Sequence, residues 1–200
     1  MAEATKLGLL SFQEAIRGGV RPNLFSVDHD WPAGVTDPII TGATGGEVTY
    51  MCKSAALPAT NVGTVELPFR GRVVKVPGDR TYETWTGTFY NDDAFEMRAA
   101  YEKWIALTNA ADANLAEVDI STTFKNITVS QLDKFSASDS LKIIRSYELV
   151  GAWPVSVSQI SVAYDNNDSY EEFDVEFAYQ YHVTKDGANK NLVNADTDPS

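Results

Sequence analysis

The chain has 200 residues, 44% of them hydrophobic, and a formal net charge of −12. This length suits one compact domain, since single cores stay workable up to roughly 250–300 residues, although two smaller domains are also possible. The charge argues against a protein that grips nucleic acid, which needs concentrated Lys and Arg. The one cysteine, Cys52, excludes an internal disulfide framework and favours a buried thiol over a nucleophile.

The first quarter of the chain contains a helix signal followed by extended segments. A capping serine and two terminal glycines bound a short helix at Ser11–Arg17. The segment Leu24–Trp31 is extended, and Pro32–Gly46, rich in Pro, Gly and Thr, predicts a long loop. Alternation in Glu47–Lys53 predicts a strand. The first ten residues make a poor signal peptide, so we expect synthesis and assembly in the cytoplasm.

Strand signals then follow in series. Val62–Leu67 and Arg70–Val76 are short and β-branched, and Pro68 and Pro77 bound them. Thr81–Tyr90 is dense in threonine and aromatic residues, which favour a pleated surface.

The clearest helix of the sequence spans about residues 92–108, where an Asn-Asp-Asp run supplies the cap. Apolar residues recur there at three- and four-residue spacing, which predicts core packing rather than a cofactor site. The face expected to pack on the sheet consists of Ala94, Met97, Tyr101, Trp104 and Ile105.

Two more strands are predicted near the C-terminal end. Leu141–Val150 is a good strand that breaks at Gly151 and Pro154. Gln159–Tyr164 is expected to pair through a hairpin turn at Asp165–Asp168 with the last strand of the chain.

The last strand alternates strictly, which implies one buried face and one wet, acidic face. Its apolar face carries Phe173, Val175, Phe177, Tyr179, Tyr181 and Val183, and its acidic face carries Glu172, Asp174 and Glu176. We expect a single domain over residues 1–183 and a flexible tail over residues 184–200. The fold class is therefore mainly β with one prominent α-helix (α+β), closed into a sandwich or barrel.

A search for catalytic groups gives no site. Strand alternation places His29 opposite its two acidic neighbours, which favours a surface strand residue over a metal ligand. The other histidine, His182, ends the last strand, so a histidine-rich zinc site is unsupported. Glu171 and Glu172 face opposite sides and cannot form a catalytic pair. We therefore predict no catalytic residue, no metal ligand and no cofactor.

Several blocks, in order, resemble the tail tube proteins of contractile-tailed bacteriophages over Ser11–Val183. The region 110–135 and the tail do not obviously match. The matching blocks are Arg21-Pro22-Asn23-Leu24-Phe25, Cys52-Lys53 ahead of Ala56-Leu57-Pro58, Gly78-Asp79-Arg80-Thr81 with Trp85, Asn91-Asp92 at a helix start, Gly151-Ala152-Trp153-Pro154, and the alternating strand Phe173–Tyr181.

The resemblance implies a structural virion protein that forms hexameric rings, whose sheets join into a continuous inner β-barrel. Stacked rings would form the tube inside a contractile sheath. The implied partners are further copies of the chain, the sheath protein, the baseplate hub, the tape-measure protein, the tail terminator and DNA in transit without specific binding. The implied location is the phage tail, assembled in the host cytoplasm.

Two residue-level hypotheses follow from this resemblance. Glu172, Asp174 and Glu176 would line an acidic lumen that does not hold phosphate, although ordinary acidic solubility would produce a similar net charge. Gly78, Asp79, Arg80 and Thr81 would form a structural turn. In that turn Asp79 and Arg80 either pair within or between subunits or remain exposed locally.

Three other functions stay open at this stage. The tube subunit of a phage-like injection or secretion apparatus would share the fold. A monomeric β-barrel would enclose a ligand pocket between its alternating strands. An enzyme is the weakest alternative, because the sequence shows no convergent site.

Overall fold

The computed structural model describes Leu9, Phe12, Ile16 and residues 19–35, 47–111, 120–134, 142–165, 167 and 169–187. Leu9, Phe12 and Ile16 are helical; the rest of the predicted helix at residues 11–17 lies outside the described residues. The bounded helices are α1 (Glu47–Met51), α2 (Glu96–Thr108) and α3 (Ile120–Thr123). The strands are β1 (Phe25–His29), β2 (Cys52–Ala55), β3 (Asn61–Phe69), β4 (Arg72–Thr81), β5 (Trp85–Tyr90), β6 (Lys125–Leu132), β7 (Ile143–Val157), β8 (Glu172–Ala178) and β9 (Tyr181–Asp186).

Seven of these strands form one antiparallel sheet that divides into two parts along β7. We call half-sheet 1 the part in which β6 pairs with β1 and the first half of β7 pairs with β6 and β9. Half-sheet 2 contains the second half of β7, then β8, β5 and β2. The described residues therefore form an open, mainly β fold with one long helix, as predicted, and not a closed barrel.

Strand β7 continues through the positions where the sequence predicts a break. Gly151 takes a positive φ of 63°, which bends the strand without ending it. Pro154 lies opposite Phe177 of β8, and a register shift follows before Ser156. A proline is tolerated in a strand when its missing N–H faces an open edge. The predicted break at Gly151 and Pro154 is therefore wrong, and the chain bends there instead.

The predicted strand at Glu47–Lys53 is instead the helix α1 followed directly by β2. Val48 and Cys52 are both buried, and Met51 is half-buried. Val48 and Met51, three apart, share one face of α1, and Cys52 at the start of β2 also faces the core. The apparent alternation fitted a strand as well as a helix because the segment is only seven residues long.

The prolines Pro68 and Pro77 lie inside strands rather than at their ends, because β3 and β4 form a separate two-stranded hairpin with open edges. Arg70 and Gly71 join the strands, and both have positive φ, as a tight hairpin turn requires.

The predicted turn at Gly78, Asp79, Arg80 and Thr81 lies within β4. The register shifts here, so that Gly78 and Asp79 together oppose Gly63 across the hairpin. A Cβ on Gly78 would lie 3.2 Å from the carbonyl of Gly63. The turn-forming residues therefore produce a β-bulge, in which a glycine permits close approach of two backbones.

Three predicted boundaries also change. Helix α2 begins at Glu96, and Ala94 lies exposed in the turn before it. Residues 159–163 have no regular structure, since β7 itself pairs with β8. Strand β9 extends to Asp186, past the predicted start of the tail, and residues 188–200 lie outside the described part.

The core lies where α2 packs on the inner residues of both half-sheets. Met97, Tyr101 and Trp104 of α2 are buried, and the rings of Tyr101 and Trp104 contact aromatic residues of β5 and β8. The buried members of this cluster include Val27, Trp85, Phe89, Ile127, Val129, Leu149, Phe173, Val175 and Phe177. None of the helices in the described residues is both long and apolar enough to span a bilayer.

Candidate assembly surfaces

The outer face of half-sheet 2 carries the acidic residues singled out by the sequence. Phe173, Val175 and Phe177 of β8 are buried, so the intervening Glu172, Asp174 and Glu176 point away from the core. Glu172 and Asp174 are exposed, and Glu176 is half-buried. The three carboxylates therefore form one row, which we call the acidic row.

Hydroxyl groups of the neighbouring strands hold two carboxylates of the acidic row. Thr88 of β5 donates a hydrogen bond of 2.7 Å to Asp174. Glu176 accepts one from Thr84 at 2.5 Å and one from Ser156 of β7 at 3.3 Å. Sequence reasoning missed these hydroxyls. The signal was the threonine at every second position of Thr84-Trp85-Thr86-Gly87-Thr88, in which Trp85, like the following Phe89, turns inward.

One cation is present at the end of the acidic row. Lys53 of β2 forms an ion pair with Glu172. This hydrogen bond, with the nearby charge of Glu172, raises the pKa of the Lys53 amine above its ordinary value. The pair is exposed, so it contributes little to stability, but it ties β2 to β8 across β5.

Half-sheet 2 has two open edges within the described residues. Strand β2 pairs only with β5, and the Trp153–Val157 portion of β7 pairs only with β8. An unpaired edge presents N–H and C=O groups that another strand can bind. Half-sheet 2 can therefore be extended by a further strand on either side.

The hairpin of β3 and β4 exposes apolar side chains on a scale unusual for a soluble surface. Every residue of β3 is exposed, and so is most of β4. The exposed apolar residues of the hairpin are Val62, Val65, Leu67, Phe69, Val73 and Val74. Leu9, Phe12 and Ile16, also exposed, lie at helical spacing near the N-terminus. Both sets are candidate contact surfaces.

Asp79 and Arg80 are both exposed on β4. Adjacent strand residues point to opposite faces, and among the described ion pairs none joins these two side chains. Pairing of either residue with another subunit stays a prediction.

The prediction that His29 is a surface residue is wrong. Alternation places it on the same face of β1 as the buried Val27, and its ring contacts five aromatic residues. Its Nδ1 lies 3.2 Å from the Tyr101 hydroxyl, and its Nε2 is buried without a hydrogen-bond partner. Desolvation lowers the pKa of His29 to about 3, so the imidazole is neutral at physiological pH.

Burial also makes Cys52 chemically inert. Its side chain lies in the core, where the thiol donates a hydrogen bond to the Ser54 carbonyl, and desolvation raises the pKa of the thiol to about 12. A thiol that stays protonated is a poor nucleophile. In the part of the chain that is described, no group of three or more His, Cys, Asp or Glu residues is placed to hold a metal ion.

The fold is shared with chains from contractile injection systems. The chain superposes with a TM-score of 0.57 on a chain in the structure of an extracellular contractile injection system, the PVC sheath/tube terminator in the extended state. Identity is 15%, and the match covers 83% of this chain and 96% of the other. A chain in the corresponding PVC sheath-tube complex matches with a TM-score of 0.52 at 15% identity, covering 88% and 97%. At these identities the likeness shows the fold.

The sequence then gives the family. The model of the phage tail tube protein family matches residues 20–185, so the chain belongs to that family. It is 29% identical to the tail tube protein gp19 of Enterobacteria phage T4 over 161 residues, or 80% of this chain and 89% of the relative. It is 25% identical to the tail tube protein of Serratia phage KSP90, covering 76% and 84%.

Proposed function

We propose that this protein is the subunit of the inner tail tube of a contractile-tailed phage. In this proposal it forms stacked hexameric rings whose acidic lumen conducts DNA, and it has no enzymatic activity. Half-sheet 2 is the observation that carries the proposal, because it combines an acidic row with two open edges. Family membership supports the same function.

The strand directions of half-sheet 2 permit a closed ring. All its pairings are antiparallel, and the order β7, β8, β5, β2 contains four strands. With an even number, the two edge strands run in opposite directions. When a copy is rotated about a ring axis, β2 therefore meets the second half of the next β7 in the antiparallel sense. The ring would pair the edges that a single copy leaves open.

Ring closure would place the acidic row on the inside of the tube if the core side of half-sheet 2 faces outward. The hydroxyl groups of Thr84, Thr88 and Ser156 hold the carboxylates close to the sheet surface. A wall of fixed negative charges repels phosphate, so DNA would pass without adhering. The hydroxyls also keep the wall wet and free of apolar contacts with bases.

The exposed apolar residues support stacking between rings. Leu67 and Phe69 of the hairpin, with Phe12 and Ile16 near the N-terminus, have no cover within the described chain. Heterologous contacts between such surfaces repeat without closing, which generates an open filament. The terminator and sheath-tube assemblies that share the fold support a sheath and a tail terminator as partners. The baseplate hub and the tape-measure protein are proposed from the resemblance to phage tail tubes. The location would be the virion, after assembly in the host cytoplasm.

Electron microscopy of the purified full-length chain tests this function. We expect rings, and tubes when a baseplate nucleus is supplied, with the acidic row on the inner wall. A map in which Glu172, Asp174 and Glu176 point outward rejects the lumen assignment. A chain that stays monomeric at high concentration, even with the nucleus present, rejects the tube function.

A charge variant sharpens the lumen assignment. The triple variant Glu172→Gln, Asp174→Asn, Glu176→Gln should still form tubes but retain DNA at low ionic strength, an effect that salt screens. The matched control Glu66→Gln, Glu96→Gln, Glu102→Gln changes the same number of exposed charges elsewhere. Equal DNA retention in both variants would contradict a lumenal position.

Capsid and portal genes beside this gene would distinguish a phage tail from a phage-like injection apparatus.

A further inference from the structure

Within the β3–β4 hairpin, few contacts fix its orientation relative to the seven-stranded sheet. It is a separate two-stranded sheet, and nearly all its residues are exposed. A lone hairpin of two strands is at best marginally stable in water. Its direction must therefore be fixed where its two ends join the body of the protein.

Both ends of the hairpin contact the same side chain. Thr60 immediately precedes β3, and its Oγ1 lies 3.2 Å from Nε2 of His182. Tyr82 immediately follows β4, and its ring packs edge-on against the His182 imidazole, with centroids 5.4 Å apart and an interplanar angle of 79°. One imidazole thus holds one end by a hydrogen bond and the other by a ring contact.

His182 is itself held firmly in the main sheet. It lies in β9, where it pairs with Leu149 of the central strand β7. Its ring also contacts Tyr147 and Tyr179, at centroid distances of 6.2 and 6.3 Å. Its Nδ1 is buried without a hydrogen-bond partner among the described residues, so the bond to Thr60 and these aromatic contacts set the ring position.

We propose that His182 is the positioning residue that fixes the direction of the hairpin relative to the sheet. The remaining polar contact at the base, from the Asn61 amide to the Glu83 carboxylate at 2.8 Å, joins the two ends to each other. This contact stabilises the pairing of the two ends but does not fix the orientation of the hairpin relative to the sheet. Tyr82 also packs on Tyr179, with ring centroids 5.8 Å apart, so this contact still holds the β4 end when the His182 contacts are lost. The β3 end is then free of its hydrogen bond, and the hairpin swings about the β4 end while its own pairing survives.

A distance measurement between two spin labels tests this inference on the unassembled full-length chain. Labels are placed at Arg72→Cys near the hairpin tip and Lys103→Cys on the exposed face of α2. The native Cys52 is buried, so it does not compete for the label. We expect a narrow distance distribution in the parent and a broad one in His182→Ala and Thr60→Val. His182→Phe keeps the ring contact and should lie between them.

A threonine variant in β9, the strand that carries His182, serves as the control. Thr184→Val makes the same chemical change as Thr60→Val, on β9 but away from the hairpin base. It should leave the distribution narrow. If His182→Ala fails to fold, Thr60→Val decides the outcome. A broad distribution in the parent, or an unchanged one in both folded variants, overturns the proposal.

Amide hydrogen exchange distinguishes a role of His182 in orienting the hairpin from a role in the general stability of the fold. Exchange within Asn61–Thr81 should stay within about twofold of the parent in His182→Ala, because the hairpin pairing survives. Exchange that rises equally in β8 and in the hairpin would show a general loss of stability and contradict a role of His182 in orienting the hairpin.

The consequence for assembly rests on the proposed function: hairpins without a fixed orientation should delay tube growth but leave single rings intact. Failure of tube growth in the parent would count against the function and not against His182.

Discussion

The β3–β4 hairpin and the aromatic core under α2 are built from similar residue types in opposite surroundings. Phe89, Trp104 and Phe177 of the core are fully buried, whereas Leu67 is 50% exposed and Phe69 is 63% exposed. The core strands have neighbours on both sides and a helix above them. The hairpin strands have only each other.

This difference shows that β-branched and aromatic residues specify a strand without specifying what covers it. In the core, cover comes from the same chain, so stability is internal. In the hairpin, the apolar side chains have no cover from the described residues, so burial contributes little to its stability. Mutations should therefore affect the two regions in separable ways.

The largest effect is expected from Trp104→Ala in the core. Trp104 is buried, and its indole N–H donates a hydrogen bond of 2.8 Å to the Thr123 carbonyl. Its removal leaves a cavity and deletes this hydrogen bond, which should lower the free energy of unfolding by about 3–5 kcal/mol. Denaturant titration measures this change. Lys103→Ala, on the exposed face of the same helix, should change it by less than about 0.5 kcal/mol.

Acid should weaken the core through His29. Its folded pKa of about 3 lies below its ordinary value of 6.5, so the unfolded chain binds a proton first as the pH falls. The stabilisation is complete above pH 6.5 and is lost towards pH 3, by about 3 kcal/mol at pH 4. Unfolding titrations across this range measure the loss. His29→Phe should have a shallower pH dependence, and identical slopes in the two proteins would contradict the assignment.

Gly78→Ala should affect the hairpin and leave the core unchanged. The new methyl group would approach the Gly63 carbonyl to 3.2 Å, which forces the paired backbones apart at a local cost of about 1–3 kcal/mol. Amide exchange in β3 and β4 should accelerate, while the global unfolding midpoint moves little. Gly63→Ala, whose methyl group would lie 3.4 Å from the Asp79 carbonyl oxygen, is the milder control. An equal loss of stability in both regions would show that the hairpin and the core are one cooperative unit.

The smallest effect is expected at the start of α2. Asp92 accepts hydrogen bonds of 3.0 Å from the N–H groups of Glu96 and Met97. Partial burial opposes ionisation of Asp92, but these hydrogen bonds outweigh it and lower the pKa of the carboxyl. Asp92→Ala should cost about 1 kcal/mol, measured by thermal unfolding at neutral pH. Asp93→Ala is the control, and an equal cost there would contradict a specific cap.

Prediction from the sequence was most accurate for elements in which apolar residues repeat at one fixed spacing over several turns or strand positions. The helix stripe at Met97, Tyr101 and Trp104 and the alternation of Phe173, Val175 and Phe177 are each set by one repeated spacing. The position of α1 was not accessible, because a helix of five residues that runs directly into the strand at Cys52 also satisfies a strand pattern. The bulge at Gly78 depends on close approach to Gly63, fifteen positions away in the sequence, which local turn chemistry does not show.

For the candidate site residues, too, local alternation could be read from the sequence, whereas contacts between strands could not. Alternation placed Glu172, Asp174 and Glu176 on one face, but their hydroxyl partners come from β5 and β7 through tertiary register. His29 was assigned to the wrong environment, although alternation already placed it on the face opposite its two acidic neighbours. The deciding factor was half-sheet pairing, which turns the face of Val27 and His29 inward.

The bend of β7 at Gly151 has a mechanical consequence. Since one uninterrupted backbone belongs to both half-sheets, a load applied at the outer edge of one is carried to the other by covalent bonds. Hydrogen bonds between strands can slip under sustained pull, whereas this connection cannot. The two half-sheets are therefore joined by a covalent connection as well as by the core that they share.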